Sequence, residues 1–234
     1  PGGERPRLPL SQLLASGDGD AFVAWRSDAG VTEPVLICGA RLSSAQVHCA
    51  LEDPDTRVEA VSYGGKLAVM SRPKALVVRD VASSSVVLEL PLKDPILRAA
   101  LSPDDRYLAI LDTAGRGTVV HLDGGPVTSN DMTGPASADD HGARSRVTLR
   151  WLSADTVVFA GNRAPTVVTL SETGGALPGV LSKGVALKSR SSTSWACSSV
   201  VALEKQLLAA TCDGFVGLFD RSTGAETSEI LLAD

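Results

Sequence analysis

The chain has 234 residues, 44% of them apolar, with 22 basic and 27 acidic side chains and a formal net charge of -5. This excludes a disordered chain and leaves no global electrostatic attraction to nucleic acid or an anionic membrane. The length allows one large all-β domain, and with only four Phe, three Trp and two Tyr the core must be built mainly from Val and Leu, which leans towards strands.

Residues 13–30 open with an apolar run, the tight turn Gly17-Asp-Gly-Asp20, and a second run that ends at Trp25. That pattern predicts a β-hairpin. Val35-Leu-Ile37 reads as a further strand, and residues 41–56 as an insertion, with an extra strand over 45–51. The pattern then repeats. Residues 58–62 form a strand-like run, residues 66–80 a hairpin ending in Arg79-Asp80, and residues 86–90 a closing strand. A third unit runs from 96–101 through a polar turn to a hairpin over 107–123, with its weakest strand near 126–128. A fourth takes 147–151, a hairpin over 156–170 and a strand over 177–181. A fifth takes 195–201, a hairpin over 206–219 and a strand over 230–232. The units fall at approximately 12–56, 57–93, 94–134, 145–182 and 195–234, read as one domain. Four strands per roughly 45 residues is a repeat architecture, and no sustained helical period interrupts it.

Thr211-Cys-Asp213-Gly214-Phe-Val-Gly-Leu-Phe219-Asp220 resembles the Ser/Thr-x-Asp-Gly-x-Val-x-Leu-Trp-Asp core of WD40 repeats. Gly17–Trp25 is similar, and Leu101-Ser-Pro-Asp-Asp-Arg-Tyr-Leu108 resembles the turn between the first two strands of a WD40 blade. The chain therefore looks like a degenerate WD40-repeat β-propeller. On that resemblance the repeat positions are Trp25, Asp80, Asp123, Thr211, Asp213, Phe219 and Asp220. No Gly-His dipeptide precedes any blade, so of the family's hydrogen-bonded tetrad Thr211 and Asp213 retain two members at best. The fold expected is all-β: four-stranded antiparallel blades, about five of them, standing alone or as part of a six-to-eight-bladed propeller. The first repeat is expected to begin at its second strand. Two-sided apolar runs such as Leu76-Val-Val78 and Val157-Val-Phe-Ala160 agree with sheets covered on both faces.

Cys38, Cys49, Cys197 and Cys212 lack any short metal-clip spacing and read as free buried thiols. With residues 1–7 polar and lacking a signal-peptide core, they point to an intracellular, cytoplasmic setting, the nucleus being a second option. The missing initiator Met is what a piece of a longer polypeptide would show. Neighbouring Asp139, Asp140, His141 and Arg144 fall in a polar loop over 129–145. Lys183, Lys188 and Arg190 fall in a second loop over 182–194. These loops are the candidate partner-binding sites, because loops on one rim of a rigid scaffold carry recognition. His48 and Cys49 are adjacent, so a strand would point them to opposite faces, away from joint metal binding. His121 reads as a core or interface histidine. Gly17–Gly19 and Gly115–Gly117 lack the Lys-Ser/Thr and helix of a phosphate loop and read as turns.

No nucleophile elbow, haem attachment motif or metal-ligand constellation is present in the sequence, so no catalytic residue, metal or cofactor is assigned. The resemblance implies a non-catalytic scaffold in a multiprotein assembly, binding proteins or peptides on the loop-bearing rim. Missing blades or a closing strand would come from a parent chain or a partner. A sensor or autoinhibitory module is the alternative within that class. A propeller hydrolase or lyase would instead draw on Glu59, Arg98, Arg150 and Ser198 of the innermost strands. RNA or phosphopeptide binding through Lys183–Arg190 lacks an aromatic stacking platform.

Overall fold

The computed structural model describes residues 12–25, 35–123, 128–131, 147–160, 165–173, 179–187, 197–203, 206–211 and 215–231. Every regular element among them is a strand, and the strands form five four-stranded antiparallel sheets. The chain divides into two compact units, 1–91 and 92–234.

The first unit holds two sheets. One is β1 (Gln12–Ala15), β2 (Ala21–Trp25), β3 (Val35–Arg41) and β4 (Gln46–Glu52), and the other is β5 (Arg57–Val61), β6 (Leu67–Arg72), β7 (Ala75–Asp80) and β8 (Val86–Pro91). Both are simple meanders, each strand bonded to the next in sequence. Apolar residues of the two sheets mesh: Val23, Trp25 and Ile37 from the first, Val58, Ala68 and Met70 from the second.

The second unit holds three sheets. The first is β9 (Ile96–Leu101), β10 (Tyr107–Asp112), β11 (Arg116–His121) and β12 (Thr128–Asp131). The next is β13 (Thr148–Ser153), β14 (Thr156–Ala160), β15 (Thr166–Thr173) and β16 (Gly179–Ala186), and the last is β17 (Cys197–Leu203), β18 (Gln206–Thr211), β19 (Phe215–Asp220) and β20 (Glu226–Leu231). The first strands adjoin in series, β13 lying beside both β9 and β17. All five residues of β14 are buried. Val157 and Phe159 face Tyr107, Leu111 and Trp151 in one apolar cluster, while Val158 and Ala160 face Phe219 in another. A strand sandwiched on both faces has no polar side to display, which is why its sequence does not alternate. Gly217 serves the second cluster: a Cβ there would lie 2.6 Å from the ring of Phe219, which folds over it.

The first repeat departs from expectation. β1 pairs with β2 as the first strand of its sheet, and β3 and β4 complete it. The hairpin at Gly17–Asp20 therefore joins the first two strands, not the second and third, and the supposed insertion supplies the fourth strand. The blade is complete instead of starting at its second strand. Trp25 consequently ends a second strand, opposite Gln12, and is a core residue instead of a repeat-signature one.

The register also moves Asp123. β10 aligns Tyr107 with His121, as β6 aligns Leu67 with Asp80 and β18 aligns Gln206 with Asp220. The equivalent of Asp80 and Asp220 is thus His121, and Asp123, 93% exposed, lies two residues beyond it. Lys183 is not in a loop: it pairs with Thr169 inside β16. Asp131 likewise ends β12, opposite Arg116.

Candidate functional site

The turn between the first two strands is built the same way in three sheets. Ser16, Ser62 and Ser102 are buried at 6%, 1% and 0% exposure. Each hydroxyl oxygen accepts the backbone N–H five residues on, from Ala21 (2.9 Å), Leu67 (3.0 Å) and Tyr107 (2.9 Å). Ser16 and Ser102 donate in turn to Asp18 (2.5 Å) and Asp104 (2.6 Å), and Ser153 makes the same bond to Asp155 (2.6 Å). The Ser16 hydroxyl holds the Asp18 carboxyl below its ordinary range, and the Ser153 hydroxyl does so for Asp155. The serines escaped the sequence reading, although a Ser five residues before the core residue that opens β2, β6 and β10 is its visible trace.

The turn after the third strand repeats as well. Asp80 accepts the N–H of Ala82 (3.0 Å) and Ser83 (2.8 Å), and Asp220 accepts those of Ser222 and Thr223 (both 2.9 Å). Four residues after each aspartate the backbone turns left-handed, at Ser84 (φ 58°) and Gly224 (φ 69°). Gly224 has a second reason to lack a side chain, since a Cβ would meet the Ala186 carbonyl oxygen at 2.3 Å. Asp80 and Asp220 therefore cap their own turns. At the matching position of the first sheet stands Arg41, which donates to the Gly64 carbonyl of the second (3.0 Å).

The most polar construction between sheets lies in the first unit. The Glu52 carboxylate, 4% exposed, takes Arg72 on one oxygen (2.6 Å) and Arg79 on the other (2.9 Å). Arg79 also donates to the Ser84 carbonyl (3.2 Å). The bond to Glu52 raises the Arg72 pKa above its usual value. Glu52 and Arg79 of this triad help line a small cleft together with Val23, Ile37, Met70, Val81, His48 and Asp80. Sequence reasoning missed it, because its members come from β4, β6 and β7, three strands of two sheets.

The thiol expectation is overturned at two positions. Cys38 and Cys49 sit directly opposite in β3 and β4 and form a disulfide. A spacing of 11 residues gives no short-range signal, and only the register of the two strands brings the sulfurs together. Cys49 is exposed, and His48 lines the cleft on the other face of β4.

Of the predicted rim residues, Asp139, Asp140, His141, Arg144, Lys188 and Arg190 lie outside the described residues, as does Asp213. Thr211 closes β18 opposite Cys197, and Phe219 is fully buried. Among the innermost-strand residues, Glu59 accepts the Ser71 hydroxyl (2.7 Å), while Arg98 and Arg150 are exposed. Among the described residues no three His, Cys, Asp or Glu side chains gather into a metal-binding group, and no helix is long and apolar enough to cross a membrane.

Neither a protein-family profile nor a curated protein matches the sequence. Solved structures do match. The C-terminal WD40 domain of Sif2 superposes with a TM-score of 0.61 at 14% identity, over 95% of this chain and 60% of that one. Hsv2 of Kluyveromyces lactis gives 0.60 at 11% identity, over 95% and 63%. The β-propeller domain of Cps50 (Swd1) from Myceliophteria thermophila gives 0.53 at 11%, over 94% and 70%. The chain thus spans about three fifths of the length of Sif2's domain and of Hsv2. Identity this low speaks for the fold alone, and with five antiparallel four-stranded sheets among the described residues, that fold is a WD40-like β-propeller.

Proposed function

We propose that the chain is a non-catalytic protein-interaction scaffold. The observation that carries this reading is the WD40-like fold with its turns locked by buried serines and capping aspartates. Polar groups spent on a rigid frame suit a platform whose specificity resides in the loops it carries. The rim segments with Asp139, Asp140, His141 and Arg144, and with Lys188 and Arg190, are the proposed contact regions. Blades contributed by a parent chain or a partner belong to the same reading, since the chain spans about three fifths of Sif2's domain and of Hsv2. The Cys38–Cys49 disulfide removes the thiol argument for a reducing compartment and favours an oxidising one.

The test is affinity co-purification of the chain from its own cells, followed by mass spectrometry. A partner set recovered reproducibly, and lost when Asp139, Asp140, His141 and Arg144 are all replaced by Ala, is the expected outcome. A monomer that brings down nothing reproducible would overturn the proposal.

A further inference from the structure

β4 is the outermost strand of the first sheet and, among the described residues, pairs on one edge only, with β3. Which of its backbone groups face outward follows from its register. Antiparallel partners alternate between wide hydrogen-bonded pairs and narrow non-hydrogen-bonded pairs. The Cα atoms of Cys38 and Cys49 are 4.1 Å apart, which makes theirs a narrow pair. Residues 46, 48, 50 and 52 then bond to β3, and Val47, Cys49 and Leu51 turn their N–H and C=O groups away from it. The side chains of Val47 and Leu51 are 63% and 71% exposed, and Cys49 is exposed too.

Exposed edges of this kind are normally blunted by charge, proline, bulges or shortness. The other outermost strands carry such devices. β8 has Glu89, ends at Pro91 and pairs through a register shift. β12 has four residues, β16 contains Lys183, and β20 contains Glu229 and pairs through another register shift. β4 runs seven residues without bulge, proline or lysine, and its one carboxylate, Glu52, is buried against two arginines. The disulfide fastens this strand to β3, so less order has to be created when something binds.

We infer that the free edge of β4 accepts an extended peptide of a partner protein as a fifth, antiparallel strand. This rests on the scaffold reading and names a surface for it away from the rim loops. The peptide carries apolar residues at alternate positions, beside Val47, Cys49 and Leu51. It also carries basic residues at its N-terminal end, where the turn after β4 presents Asp53, 75% exposed, and the exposed Asp55. A second copy of this chain fits less well, because the residues that lead into its β4, Leu42-Ser-Ser-Ala45, would face that turn and carry no basic side chain.

The probe is the synthetic peptide Lys-Lys-Val-Thr-Val-Thr-Val-Thr, titrated against the oxidised chain by fluorescence anisotropy and followed by amide hydrogen exchange. Binding should slow exchange at Val47, Cys49 and Leu51. N-methylation of the three Val amides removes three hydrogen bonds and should weaken binding at least about tenfold, whereas N-methylation of the Thr amides, which point away, should leave it intact. Val47→Lys should weaken binding while the melting temperature is kept. Equal binding by the two methylated peptides, no binding at all, or unchanged exchange along β4 would overturn the proposal. So would concentration-dependent dimerisation abolished by Val47→Lys, which would assign the edge to a second copy. Partners that co-purify equally well with Val47→Lys and wild type would sink this site and leave the scaffold reading standing.

Discussion

The first two sheets and the third and fourth sheets, each pair packed within its own unit, are joined by opposite means. Between β-sheets of the first unit the apolar cluster is closed by the ion triad of Glu52, Arg72 and Arg79. Between the third and fourth sheets the joint is aromatic. Tyr107 stacks on Trp151 with centroids 6.1 Å apart, Phe159 is fully buried, and the Trp151 indole N–H donates to the Ala100 carbonyl (2.9 Å). The aromatic joint gains from apolar burial, and its indole N–H is satisfied by one hydrogen bond. The ionic joint gains little net stability, because desolvation offsets most of the attraction, yet it fails badly when one partner is removed. Similar folds thus tolerate different substitutions.

The largest expected effect lies on the aromatic side. Phe159→Ala should cost about 3–5 kcal/mol, the usual loss for a fully buried phenyl ring with a residual cavity, read as a fall in the urea midpoint. A loss under about 1 kcal/mol would mean that the joint collapses freely around the gap.

The ionic joint should respond next. Glu52→Leu leaves two guanidinium groups without their carboxylate and should cost about 3 kcal/mol. That is the low end of the range, because the Arg72 and Arg79 side chains keep 26% and 18% exposure. Replacing all three members by Leu, Met and Met should restore most of the loss. If the triple variant is no better than the single one, the triad is contributing more than mutual charge compensation. Reduction of the Cys38–Cys49 disulfide should cost roughly 2–3 kcal/mol, from the loop-closure entropy of a short crosslink. The effect should be confined to the first unit, and hydrogen exchange in β14, in the second unit, should not respond to the reductant.

Much of this was legible in the sequence because a sheet covered on both faces writes itself as short apolar runs between turn residues. The third to fifth repeats show it, and β14 as Thr156-Val-Val-Phe-Ala160 shows it without alternation. The first repeat misled because Gly17-Asp-Gly-Asp20 has a composition that suits the turn after a first strand as well as the turn after a second. The Trp25 that follows imitates the end of a third strand. Asp123 misled for a related reason: a Leu-Asp dipeptide looks like the repeat's end, while the register places His121 there. The disulfide and the triad were invisible, because each depends on which residues of separate strands face one another. The buried serines were visible but unremarkable, since a serine in a turn announces a bend and not its burial.

The smaller effects compare the turns. Ser102→Ala removes the acceptor for the Tyr107 N–H at a site with no exposure, and should cost about 1–2 kcal/mol in the second unit, the penalty for stranding a buried donor. Ser16→Ala, at 6% exposure, should cost no more than that, because water reaches the vacated position more readily.

The last comparison is between the two capping aspartates. At Asp220 the Ser222 hydroxyl and then the Thr223 N–H and hydroxyl lower the carboxyl from 3.8 to about 2. At Asp80 burial pushes the value up, and the N–H and hydroxyl of Ser83 and the N–H of Ala82 outweigh it, leaving the pKa lowered. A carboxyl whose folded pKa lies below its unfolded value adds stability above the unfolded pKa and loses it as pH falls through the folded one. The stability gap between wild type and Asp220→Asn should therefore be constant above about pH 5 and should narrow as the pH falls through 3.8 towards about 2. The gap for Asp80→Asn should close nearer the ordinary value, because burial opposes its hydrogen bonds. Urea unfolding at stepped acid pH separates the two. A gap at Asp220 that does not change with pH would show that the cap acts through turn geometry, which asparagine reproduces, and not through its charge.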